Sequence, residues 1–120
     1  MLVITNNPLA EQTLKERELC PVEYHDVPLK RLFEIVRDRI HQGYKLLTHP
    51  LSGSVKPNET PYKSIGISDK PEKSVDVDSL LLMEQAIDAL SKFRVRHPNM
   101  SDSMRKDFQV VDLTLILSVF

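Results

Sequence analysis

Apolar and polar positions along this chain switch repeatedly between strand-like runs and helix-like stripes. Leu2 to Thr5 is a short, β-rich apolar run closed by Asn6, Asn7 and Pro8, the pattern of a buried strand and its turn. Good helix formers follow from Pro8 or Leu9 to Leu19, with Asn7 placed to cap and Pro8 acceptable in the first turn. Only Leu9, Leu14 and Leu19 make an apolar stripe there, so this helix is expected at the surface. Pro21 stops it, and Val22 to His25 reads as a second strand. Leu29, Leu32, Phe33, Val36 and Ile40 then fall at helical spacing, predicting a helix over about 27–42 with Asp26 as its cap and Gly43 able to end it.

Tyr44 to Leu47 predicts a third strand and Ser64 to Ile67 a fourth, separated by a long polar connection. Leu80, Met83, Ile87, Leu90 and Phe93 predict a helix opened by Asp76 or Asp78 and limited by Pro98. Ser101 caps a last predicted helix over 102 to about 117, with Met104, Phe108, Val111 and Leu115 on one side. Right-handed crossovers would make the first three strands parallel. The fold class expected is therefore α/β: one small domain over residues 1–120, a mostly parallel sheet of about four strands flanked by about four helices.

Composition removes whole classes of function. At 120 residues and 41% hydrophobic the chain suits one modest core. Sixteen basic residues against seventeen acidic ones leave a formal charge of -1, so no field draws nucleic acid or an anionic membrane. Cys20 is the one cysteine, which excludes an internal disulfide and a cysteine-rich zinc site. Neither terminal apolar run reaches the length of a signal-peptide core or a membrane span, and the expected location is the cytoplasm.

The connection from Lys45 to Ser64, KLLTHPLSGSVKPNETPYKS, is the strongest pointer to a site, because elements of compact domains are usually joined by about 4–6 residues. With parallel strands, Asn6 and Asn7 leave the sheet at the same rim as Thr48 and His49, and ligands of such sheets bind beyond the carboxyl ends of the strands. Ser52, Gly53 and Ser54 can form an anion nest beside Lys56, and Asn58 and Thr60 lie further along. The same run also reads as a turn whose serines satisfy backbone groups. His49 is the candidate acid-base residue. His25, Asp26 and Glu59 lack metal-ligand spacing, so neither a metal nor another cofactor is expected. Lys45 and Lys63 read equally as solvated or functional. The apolar surplus on the last two helices suggests a homodimer surface.

The segments LVITNNP, LLTHPLSGSVKPNETPYKSI, VDVDSLLLMEQAI and DFQVVDLTLI, in that order, resemble the GrdX family, small proteins associated with the glycine, sarcosine and betaine reductase system of anaerobic bacteria. The resemblance spans nearly the whole chain and carries no catalytic residues. It implies an accessory role, with a reductase-system protein as possible partner and a small anion or a protein bound by the 48–63 loop. The alternative is a small enzyme acting on a phosphorylated or carboxylated metabolite, with His49 as acid-base, Lys56 and the serine nest holding the anion, and Asn6 or Asn7 orienting substrate.

Overall fold

The computed structural model describes residues 1–51, 60–92 and 100–120. Strand β1 (Leu2–Thr5) leads into helix α1 (Pro8–Glu16) and then β2 (Val22–Tyr24), which pairs parallel with β1, Val3 beside Val22 and Thr5 beside Tyr24. Asn7 caps α1 by accepting from Leu9 N–H at 3.0 Å. The helix stops at Glu16, earlier than Pro21 requires, because Glu18 takes a left-handed φ of 52° and Leu19 N–H reaches back to Leu14 C=O.

Helix α2 (Leu29–His41) buries the five residues that its spacing predicts: Leu29, Leu32, Phe33, Val36 and Ile40. Its start differs from expectation. Pro28 occupies the cap position without a side-chain bond, and the exposed Asp26 lies outside the helix, so the capping role expected for Asp26 is not taken. Gly43, at φ 108°, turns the chain after α2, and a side chain there would collide with the backbone of Glu72.

The sheet corrects the sequence-based expectation. Among the described residues it has three strands in the order β2-β1-β3, where β3 (Ser64–Ile67) runs antiparallel to β1. It is a mixed sheet, and the segment expected as a third strand at 44–47 contributes one antiparallel bridge, Leu46 to Ile67. Backbone bonds from Ser68 N–H to Lys45 C=O and from Leu47 N–H to Gly66 C=O hold it beside β3, and side chains take the remaining donors. Lys45 N–H donates to Ser68 Oγ, Leu46 N–H donates to Ser79 Oγ, and Gly66 N–H turns to Thr48 Oγ1. Because that bridge is antiparallel to β3, the segment still runs in the direction of β1 and delivers Thr48 to the rim where β1 ends.

Helices cover both faces. Ile4, Ile65 and Ile67 pack with α2 and with α3 (Val77–Lys92), whereas Val3 packs with Leu14 of α1 and Ile116 of α4 (Asp102–Leu117). The strand alternation explains the division, since Thr5, Ser64 and Gly66 share the second face with Val3. Helix α3 buries Ser79, Met83, Ala86 and Leu90, with Leu80 and Ile87 half-buried at the flanks; Phe93 lies outside the described residues. Helix α4 keeps the predicted bounds and the Ser101 cap, yet buries Asp112 and Ile116 and leaves Met104 and Val111 about half exposed. The sequence-predicted stripe of Met104, Phe108, Val111 and Leu115 is thus not the face that meets the sheet.

Candidate functional site

The rim where β1 ends and β3 begins gathers most of the buried polar residues among those described, Ser79 of α3 excepted. Asn6 Nδ2 donates to Val27 C=O at 3.0 Å and to Pro61 C=O at 2.9 Å, and its Oδ1 accepts from Lys63 N–H at 2.9 Å. Asn7 Nδ2 donates to Gln109 C=O and to Asp112 Oδ2, both at 2.9 Å, while its Oδ1 caps α1. Both amide groups are spent on the fold. Asn6 clamps the two ends of flanking connections, and Asn7 joins α1 to α4; both NH₂ groups are spent on these bonds, while each Oδ1 accepts one.

Thr48 and His49 stand on the same rim. Thr48 Oγ1 accepts from Gly66 N–H at 2.9 Å, and the hydroxyl proton remains a donor. His49 Nδ1 accepts from Leu51 N–H at 3.0 Å, so the neutral ring carries its proton on Nε2, an assignment inferred from that bond. Thr60 Oγ1 accepts from Tyr62 N–H at 3.3 Å and closes a local turn. The remaining residues expected at the site, Ser52, Gly53, Ser54, Lys56 and Asn58, lie outside the described residues, as does Glu59.

Two cavities meet at this rim. One of about 270 Å³ is walled by Thr48, His49, Lys63 and Ser64 together with Leu115 and Ile116 from the end of α4 and Val119 just beyond it. A smaller one, about 30 Å³, lies between α2 and α4 against Phe33, Leu51, Tyr62, Val111 and Asp112. Lys63 and Leu115 belong to both walls. Lys63 is only 7% exposed, and burial pushes its ammonium below the ordinary lysine range although the Asp112 carboxylate pulls the other way.

Asp112 anchors this wall. Its Oδ1 accepts from Ser64 N–H at 2.9 Å, and its Oδ2 accepts from Ser64 Oγ at 2.7 Å and from Asn7 Nδ2. Thr5 Oγ1 lies 2.8 Å from Ser64 Oγ and accepts from Asn7 N–H, which completes a network across β1, β3 and α4. Sequence pattern alone singles out neither Asp112 nor Ser64 and does not decide between solvated and functional for Lys63. The available signal was an aspartate four residues before Ile116 in an otherwise apolar stretch, on the face that a helix would bury.

The site combines polar side chains and one lysine with an apolar wall from α4. No group of His, Cys, Asp and Glu among the described residues could hold a metal ion. Comparison with curated proteins and with solved structures gives no match. A family model described as GrdX-like protein matches residues 2–120, which takes in every element from β1 to α4, and the chain belongs to the GrdX-like protein family.

Proposed function

We propose that this protein is an accessory, non-catalytic component of anaerobic glycine, sarcosine or betaine reduction, acting in the cytoplasm, whose rim cleft holds a small anion or a segment of a reductase-system protein. Family membership supports the first part. One observation carries the second: a lysine nine-tenths buried stands beside Thr48, His49 and Ser64 in the wall of the larger cavity. The Thr48 hydroxyl, whose oxygen already accepts from Gly66 N–H, keeps its proton to donate to such a guest. The volume is below the ~300 Å³ at which drug-sized sites begin, so the ligand is a small one. Two copies of the chain pair through the outer face of α4, where Met104 and Val110 are half exposed.

Thermal-shift titration with phosphate and with acetate, on wild type and Lys63→Gln, tests the anion site. Stabilisation of wild type by one of these salts beyond that given by chloride at equal ionic strength, and lost in the variant, is expected; equal responses in both proteins would remove the site. Mixing with purified reductase subunits and native mass spectrometry tests the partner.

A second reading, a small enzyme acting on a phosphorylated or carboxylated metabolite, draws on His49 lining the same cavity as Lys63. His49→Ala with the fold intact would then abolish turnover.

A further inference from the structure

We propose that Gly66 is the positioning residue of the rim cleft: its backbone seats the 47–51 segment, and its lack of a side chain lets Thr48 and His49 stand in the wall of the larger cavity. The inference rests on the anion reading of the rim and adds what fixes its geometry. Gly66 sits on β3 opposite Val3 of β1, and both of its backbone polar groups are turned to the other side. Its C=O accepts from Leu47 N–H at 2.8 Å and from Thr48 N–H at 3.3 Å, while its N–H donates to Thr48 Oγ1 at 2.9 Å. One residue thus holds Thr48 by main chain and side chain together.

The seat has no room for a side chain at 66. A β-carbon there would lie 3.1 Å from Thr48 Cγ2, inside ordinary van der Waals contact, and would also meet the Met1 thioether. Met1 is long and unbranched and can swing aside. Thr48 is β-branched and stiff at χ1, so its methyl cannot turn away without giving up the bond from Gly66 N–H to Oγ1. The relief left is movement of the segment away from β3, and His49 goes with it.

Position 66 faces the side of the sheet on which Val3, Leu14 and Ile116 form a core, where a side chain would add buried apolar surface. A glycine inside a strand forgoes that burial and costs backbone entropy, and it often marks the close approach of another backbone or a ligand. The approach here is made by the wall of the larger cavity. Leu47, Thr48 and His49 all line that cavity, and His49 Nδ1 is tied to Leu51 N–H, so a displacement at Thr48 moves three lining residues together.

Amide NMR and calorimetric titration with sodium phosphate and sodium acetate, on the full chain as wild type, Gly66→Ala, and Gly66→Ala combined with Thr48→Ser, test the inference. Gly66→Ala should shift the amide signals of Leu47, Thr48, His49 and Leu51. It should weaken whichever salt wild type binds by about tenfold or more, the size of one lost hydrogen bond to a charged group. Thr48→Ser removes the methyl and keeps the hydroxyl, so the double variant should return the Leu47, His49 and Leu51 signals toward wild type and regain most of the affinity. Unmoved signals in Gly66→Ala, moved signals with affinity intact, or a double variant as perturbed as the single one, overturn the inference and leave the anion site standing. If Gly66→Ala does not fold, Thr48→Val decides: it spares residue 66 and removes the acceptor of its N–H, so the His49 and Leu51 signals should shift, and unmoved signals overturn the inference. Wild type that binds neither salt removes the anion site alone, and the amide signals then decide what seats the segment.

Discussion

A carboxylate buried between a helix and a sheet is tolerated only where donors meet its oxygens, and Asp112 is met by Ser64 N–H, Ser64 Oγ and the Asn7 amide. Removing the carboxylate strands two of those donors in a site that is 3% exposed. Each stranded donor costs about 1–3 kcal/mol, so Asp112→Ala should lose roughly 2–5 kcal/mol of stability. Urea unfolding with an unchanged slope measures this, and a loss under about 1 kcal/mol would show that the network contributes little. Asp112→Asn keeps the volume but turns an NH₂ toward neighbours that are donors, and should fall between the two. Lys63 was open to reading as solvated or functional because its burial follows from β3 entering the sheet one residue later, a fact of packing and not of composition.

Between elements, Glu23 ties β2 to α2. Its carboxylate accepts from Arg39 at 2.8 Å and from His25 at 2.7 Å, and the edge strand carries this pair where no further strand covers it. Partial burial pushes the Glu23 carboxyl up, but the hydrogen bonds and charges of His25 and Arg39 prevail and hold it below the ordinary glutamate range. A carboxyl with a depressed folded-state pKa contributes stability above its unfolded value, about 4.3, and loses that contribution as pH falls through the folded value. Wild type should therefore exceed Glu23→Gln in stability at pH 6, by no more than about 1 kcal/mol for a partly exposed pair. The difference should shrink as the pH is lowered below that unfolded value. Melting curves of both proteins from pH 6 downward decide the matter, and a gap that does not change with pH would assign it to packing instead.

At the scale of the whole molecule, two helix pairs enclose a mixed sheet, and among the described residues half of the exposed large apolar side chains lie on α4 and at the C-terminus, with Val77 and Leu81 exposed on α3. Met104 and Val110 are 50% and 52% exposed, with Phe120 at 49%. The pairing proposed above predicts a scattering mass of twice 13.8 kDa for wild type, and 13.8 kDa for Met104→Glu combined with Val110→Glu. Wild type running at 13.8 kDa at micromolar concentration would end that proposal. No described helix is long and apolar enough to cross a membrane.

The helices were legible because helical spacing writes the buried face of α2 directly into five residues, and Asn7 and Ser101 mark starts that local hydrogen bonds enforce. The run Leu2–Thr5 and the run Ser64–Ile67 were equally plain as strands, since both are apolar and bounded by polar turns. The direction of β3 and the demotion of 44–47 were not legible: the first depends on long-range pairing with β1, and the second on Ser68, Ser79 and Thr48 capturing backbone donors of Lys45, Leu46 and Gly66. The placement of Thr48 and His49 at the rim followed from a strand direction that the single bridge preserves. The Lys63, Ser64 and Asp112 wall arose only on folding, because sequence spacing fixes which residues share a face of one element, whereas the depth of a charge in the protein depends on what other elements lay across it.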